Sequence, residues 1–270
     1  MRNFIAAGMA LALAGTAGSV ALAQADHAGH AAHDPALTKA VADPGRSAAD
    51  KARDQYRHPA ETLAFFGIKP TDTVVELSPG GGWYTVILGR YLDAGTLYAS
   101  APPSAGRDAL QARLAADPVL AKVRFAGFPA GADDVPDNSV DTVLTFRNIH
   151  NWVMGGKGAE KDVFASAFRM LKPGGTLGIV EHRLPEEMDS AREKSSGYLK
   201  VSTVRRVAEA AGFEYVGASE VNANPKDTHD YENGVWTLPP TFRLGDTDRA
   251  KYAAIGESDR MTLKFRKPAQ

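Results

Sequence analysis

Two short runs hold the side chains best suited to proton transfer. One is Phe146-Arg147-Asn148-Ile149-His150-Asn151-Trp152; the other is Glu181-His182-Arg183. Histidine accepts and releases protons near neutral pH. Each run ends an apolar segment that reads as a buried strand, Val140–Phe146 and Thr176–Glu181. A parallel sheet presents its ligands at the carboxyl ends of its strands. If the two strands are neighbours, two imidazoles, a carboxylate and two guanidiniums (Arg147 and Arg183) share one rim. Single residues of this kind also cap loops and hydrogen-bond one another. Their convergence as a group favours a site, with His150 the first candidate base and His182 the second. His150, Glu181 and His182 have metal-ligand chemistry but no recognised ligand spacing, so no metal is expected.

A third segment is Val74-Val75-Glu76-Leu77-Ser78-Pro79-Gly80-Gly81-Gly82-Trp83-Tyr84. A β-branched apolar run breaks into a glycine-rich turn and resumes with helical spacing, which predicts strand, tight turn and helix start. Glycine lets backbone N–H groups approach a ligand without an intervening Cβ. The helix N-terminus that follows favours an anionic group. A glycine turn that only joins strand to helix is the plainer alternative. Trp83 and Tyr84 read as core packing first and cofactor stacking second.

These segments need a scaffold, and the pattern supplies one. Strands are expected at Thr73–Leu77, Thr96–Ser100, Val123–Ala126, Val140–Phe146, Thr176–Glu181, Phe213–Gly217 and Met261–Phe265. Helical spacing separates most of them, as at Trp83–Leu92, at Val163 to Leu171 and at Thr203–Ala211. Lys172-Pro173-Gly174-Gly175 is expected to stop one helix and Gly212 another. Strand–helix alternation predicts an α/β domain with a doubly wound, mostly parallel sheet covered on both faces. Residues 35–68 carry helical signals, including a helix from Ser47 to Arg57. Residues 220–258 show no clear period and read as a binding loop or an excursion over the sheet edge. Within them, Asn222 to Pro240 is expected to fold over the site, with Trp236 on its inner face. Gly256-Glu257-Ser258-Asp259-Arg260 reads either as an ion-paired anchor for this loop or as a solvated turn.

The 270 residues carry 44% hydrophobic and 23% charged side chains and a net charge of -1. That balance gives no electrostatic case for nucleic acid or anionic lipid and leaves a small molecule as the expected partner. Oligomeric state is not legible. Arg2, the apolar stretch from Phe4 to Gly18 and Ala21-Leu22-Ala23 fit a signal peptide cleaved before Gln24. The stretch is too weakly hydrophobic to favour a retained anchor. A periplasmic or secreted product is expected. Residues 24–46 are expected as a linker containing His27, His30 and His33, with the main domain from 47 to 270. There is no cysteine, so stability must come from a core.

Three motifs together resemble class I S-adenosylmethionine-dependent methyltransferases. They are Val75-Glu76-Leu77-Ser78-Pro79-Gly80-Gly81-Gly82, Asp137-Asn138-Ser139-Val140-Asp141-Thr142-Val143-Leu144 and Leu171-Lys172-Pro173-Gly174-Gly175-Thr176-Leu177. The order and spacing are right, and the strand-four run is similar to that of a group of exported methyltransferases. The resemblance implies a Rossmann-like, seven-stranded sheet with an antiparallel last strand. It implies S-adenosylmethionine as cofactor, its carboxylate near the backbone of Ser78, Gly80, Gly81 and Gly82, with Glu76 beside it. Asn148 and the acceptor then lie at the end of strand four. Because in-line methyl transfer depends on positioning and on deprotonating the acceptor, His150 and His182 are the implied bases. The chain departs from the family twice. Ser78 replaces the first glycine of the turn. Strand two ends Tyr98-Ala99-Ser100-Ala101-Pro102, without the acidic residue that binds the ribose hydroxyls. Ser100 offers one weak hydrogen bond in its place. A non-catalytic binding protein that keeps the fold is therefore the alternative reading.

Overall fold

The computed structural model describes Met1 and residues 34–269. Residues 1–23, read as a signal peptide, fall almost wholly outside the described residues, as do His27, His30 and His33. Among the described residues, no helix is long and apolar enough to cross a membrane.

Five parallel strands form the centre: β1 (Thr73–Leu77), β2 (Thr96–Ser100), β3 (Arg124–Ala126), β4 (Val140–Phe146) and β5 (Leu171–Leu184). A two-residue strand, β6 (Leu199–Lys200), pairs only with the end of β5. β7 (Glu214–Ser219) and β8 (Arg260–Arg266) complete the sheet, whose order is β3-β2-β1-β4-β5-β8-β7. β8 is antiparallel to both neighbours. The order reverses between β1 and β4, and that switch point opens a crevice at the strand carboxyl ends.

Period-two alternation divides the strand side chains between two cores. Val74, Leu144 and Val180 face one layer with α1 (Pro35–Ala42), α4 (Pro59–Phe66), α5 (Trp83–Tyr91) and α6 (Ala105–Ala115). Val75, Val143 and Ile179 face the other, with α7 (Ile149–Met154), α8 (Ala159–Met170) and α9 (Val201–Ala210). Each fully buried Leu, Ile or Phe contributes about 1.5–3 kcal/mol.

Several boundaries differ from expectation, for physical reasons. The expected helix from Ser47 to Arg57 is two short ones, α2 (Ala48–Lys51) and α3 (Asp54–Arg57). The Trp83 indole donates to the Asp50 carbonyl at 3.1 Å, the oxygen a continuous helix would offer to the Asp54 N–H. The packed domain also starts before residue 47. Asp34 caps α1 and accepts a hydrogen bond from the Tyr91 hydroxyl at 2.6 Å, while Leu37 and Ala40 enter the core. Residues 35–42 are thus part of the fold and not of a linker. β5 begins at Leu171, which pairs with Val140. The Lys172–Gly175 stretch is a bulge within the strand, and regular pairing resumes at Thr142 with Thr176. The 220–258 stretch contains a 3₁₀ turn, Gly234–Thr237, and a short helix, α10 (Arg249–Ile255), neither visible as a period.

Candidate functional site

β4 and β5 are adjacent, so the two proton-handling runs meet. Arg147 donates its backbone N–H to Val180 at 2.7 Å and holds the end of β4 against β5. α7 starts two residues later and turns His150 toward Glu181. Glu181 is fully buried, with His150 Nδ1 2.9 Å from its Oε1. The same carboxyl accepts the backbone N–H of His182 at 2.8 Å and of His150 at 3.2 Å. An oxygen that already accepts an amide leaves Nδ1 the donor role. The lone pair then sits on Nε2. The His182 ring lies 5.2 Å from that of His150, and its Nδ1 is 2.5 Å from Ser258 Oγ. Burial, then the nearby His150, Arg260, Arg147 and Arg57, push His182 well below the usual histidine range. His182 is therefore a neutral imidazole at neutral pH.

The glycine turn opens into the same crevice. A cavity of about 280 Å³ is lined by Ser78, Pro79, Gly80 and Gly81 on one side. Phe146, Arg147, Asn148, His150, Asn151 and His182 line the other. Gly80 has φ +57°, and a Cβ there would meet nothing within 4 Å, so its backbone faces open space. Ser78 holds φ +51° where the motif has glycine, and Arg147 holds φ +62°. Both strand ends therefore keep a non-glycine residue in the left-handed region, at a cost of about 1–2 kcal/mol each. Asn148 bridges them, donating to the carbonyls of Leu77 at 3.1 Å and Ser78 at 3.2 Å.

The irregular stretch closes the cavity. Val235, Trp236, Pro239, Pro240 and Thr241 form its roof, with the Trp236 ring 6.1 Å from that of His150. Gly234 (φ +55°) lies so close to the Ser196 backbone that a Cβ would collide with its carbonyl. Asp259 fastens the stretch. It pairs with Arg183 at 2.8 Å and accepts the Asn224 N–H at 2.8 Å, and its carboxyl is lowered to about 2. Despite its burial, the neighbouring His229, 3.4 Å away, and hydrogen bonds from Arg183 and Asn224 bring it there. Gly256–Arg260 is thus an anchor. Arg183 belongs to this anchor and not to the cavity.

Other candidates lie behind the wall. Glu76 is buried and accepts from Thr85 Oγ1 at 2.6 Å; burial raises its carboxyl to about 7. A Cβ at Gly82 would meet Leu110 of α6 at 2.5 Å, so this glycine serves helix packing. Ser100 is fully buried and donates its hydroxyl to Gly127 at 2.5 Å. The Arg46 and Arg57 guanidiniums both lie over the Trp83 ring, and Tyr84 stacks on Phe146 with ring centroids 3.6 Å apart. Both therefore pack and neither lines the cavity. Arg260, which does line it, was missed by reading strand ends alone. Its signal is topological: an antiparallel β8 brings its first residue to the carboxyl end of β5, where Arg260 pairs with His182.

The ligand atoms of His150, Glu181 and His182 lie within 4.8 Å of one another, as in a metal centre. However, Ser258 and the His150–Glu181 bond already engage them, and the guanidiniums around them repel a cation.

Residues 75–179 match the family model described as a methyltransferase domain. An S-adenosylmethionine-dependent methyltransferase from Aquifex aeolicus superposes with a TM-score of 0.54 at 18% identity, covering 86% of this chain and 98% of that one. The fold is a Rossmann-like methyltransferase fold. The [4+2]-cyclase SpnF also shares it, with a TM-score of 0.57 at 19% identity over 87% of this chain and 92% of that one. Phosphoethanolamine N-methyltransferase 2 of Haemonchus contortus, in complex with S-adenosyl-L-methionine, aligns with a TM-score of 0.50 at 15% identity. That match covers 79% of this chain and 53% of the other. No curated protein matches the chain.

Proposed function

We propose that this protein binds S-adenosylmethionine in the crevice between β1 and β4 and transfers its methyl group to a small-molecule acceptor. One observation carries the reading: the open glycine turn and the His150–Glu181 pair line or abut a single cavity. When bound, the cofactor supplies an electrophilic methyl on a sulfonium. The chain's residues do the rest. Ser78, Gly80 and Gly81 offer backbone to the amino-acid end of the ligand. Asn148 fixes the geometry between the two strand ends. Glu181 holds the proton on His150 Nδ1, so Nε2 takes the acceptor's proton. Trp236 and the prolines of the roof exclude water. His182, neutral, serves as the neighbouring hydrogen-bond partner and second candidate base. We further propose export after removal of residues 1–23; an intact leader on membrane-bound protein would refute it.

The same structure supports a second reading at the ribose end. Ser100 spends its hydroxyl on Gly127, whose N–H is in turn bonded to Asp134, and strand two itself ends without a carboxylate. SpnF, whose name is that of a cyclase, shares this fold, so fold alone does not dictate methyl transfer. A protein that binds a small molecule without methylating it is the reading this favours. Calorimetric titration with S-adenosylmethionine and S-adenosylhomocysteine separates the two. Saturable binding of both supports the transferase, and no heat from either supports the binding protein.

A further inference from the structure

The cavity wall carries more positive charge than its partners balance. Arg53, Arg57 and Arg260 all pair with the single carboxylate of Glu257: Arg53 at 2.5 Å, Arg57 at 3.2 Å and Arg260 in closer contact still. Arg147 lines the cavity, and its guanidinium, close to those of Arg57 and Arg260, has no hydrogen-bond or ion-pair partner among the described residues. Four guanidiniums therefore face one carboxylate. Arg57 and Arg260 are each only 2% exposed. Buried Arg53 Nη2, Arg57 Nη2 and Arg260 Nε all lack an acceptor. Buried charged donors normally have partners, because leaving one unpaired forfeits its solvation without return. The other nearby carboxyls are committed: Glu181 to His150 and two amides, Asp259 to Arg183 and Asn224.

We infer that Arg147 and Arg260, backed by Arg57, receive an anionic group of the ligand, a carboxylate or a phosphate. Burial and the surrounding guanidiniums lower Arg147 and Arg57 from the usual arginine range, as expected of cations awaiting a counter-charge. Guanidinium binds carboxylate and phosphate bidentately, which fixes orientation as well as position. Two sources fit that chemistry, the acceptor or the amino-acid end of the cofactor. The placement favours the acceptor. The glycine turn offers its own backbone to the cofactor, whereas Arg147 and Arg260 stand with His150 and His182 at the ends of β4, β5 and β8. The inference rests on the proposed function for the acceptor's role, but the charge imbalance stands without it.

The test compares wild type with Arg147→Asn, since asparagine tolerates the left-handed backbone at this position. Both proteins are titrated with inorganic phosphate, with S-adenosylhomocysteine and with 5′-methylthioadenosine, which lacks the amino-acid group, at fixed ionic strength. Wild type is expected to bind phosphate, also when saturated with S-adenosylhomocysteine, and Arg147→Asn to bind it at least about tenfold more weakly. Circular dichroism and melting temperature report whether the variant folds. Arg147→Lys, which keeps the charge, should recover part of the affinity. If the variant instead weakens S-adenosylhomocysteine and spares 5′-methylthioadenosine, the anion is the cofactor's carboxylate and the site still stands. If phosphate binds but neither nucleoside does, the anion site stands and methyl transfer falls. Equal binding of phosphate and of S-adenosylhomocysteine by the folded variant and wild type, or no anion-dependent binding at all, overturns the inference.

Discussion

The carboxyl ends of β1, β4 and β5 and those of β2 and β3 lie on one side of one sheet, yet they are built differently. The first group opens. Gly80 faces empty space, Ser78 and Arg147 hold left-handed backbone, and His150, His182 and Arg260 converge on about 280 Å³. The second group is closed. Ser100 donates to Gly127, Ala101 is buried, and Gly127 in turn takes its N–H partner from Asp134 at 2.9 Å. At the first rim the His150 Nε2 and the Arg147 guanidinium have no partner among the described residues, while the polar groups at the second satisfy one another.

The largest effect should come from the open rim. If His150 is the base, His150→Ala lowers turnover by roughly 10²–10⁴-fold while sparing S-adenosylhomocysteine affinity. Unchanged turnover would leave the rim a binding surface without a base.

Glu76 sits behind the wall between the two rims and should act on stability rather than binding. Its buried carboxyl is raised to about 7, above its unfolded value of 4.5. A raised acid favours folding most fully below the unfolded value. That contribution is lost as pH rises from about 4.5 through about 7. Glu76→Gln should therefore stabilise the protein at pH 8 by up to about 3 kcal/mol and flatten the profile in this window. Denaturant melts from pH 5 to 8 decide it, and a variant that melts like wild type at pH 8 contradicts the burial argument.

At the closed rim, Ala101→Asp would restore a carboxylate where ribose hydroxyls are bound in the family. Tighter S-adenosylhomocysteine binding of about tenfold is expected, equal to about 1.4 kcal/mol. Arg107, which donates to the Ala101 carbonyl at 2.9 Å, is the competing partner. No gain would mean that Arg107 captures the new carboxylate or that ribose does not reach this rim.

The smallest effect is at the turn itself. Ser78→Gly relieves left-handed strain but loosens the unfolded chain, for a net gain of about 0.5–1 kcal/mol. Thermal melting should rise by a few degrees. A lower melting temperature would show that the Ser78 backbone is not strained.

The open rim was largely legible in the sequence because strand ends and glycine turns are local signals. His150 and His182 follow from the strand ends and Gly80 and Gly81 from the glycine turn, whereas the neighbouring of β1, β4 and β5, and with it the places of Asn148 and Ser78, comes from the family resemblance. Glu76 and Gly82 of the first motif and Ser100 at the end of strand two face inward, against Thr85, Leu110 and Gly127. Whether a motif side chain faces a ligand or a helix depends on partners far away in sequence. Arg57 and Arg260 were hidden for the same reason. They converge on Glu257 only once α3 and β8 pack over the strand ends, a contact spanning about two hundred residues. The break in the expected Ser47–Arg57 helix likewise depends on Trp83.

Paired titrations of wild type and Gly81→Val with S-adenosylhomocysteine test the central claim most directly, because a Cβ at Gly81 meets nothing within 4 Å and the position, unlike Gly80, does not hold left-handed backbone, so only the approach to the turn changes. The account predicts saturable binding by wild type and its loss in a variant whose far-UV circular dichroism is nearly unchanged. Equal affinity in the two proteins, or no binding by wild type, would contradict it.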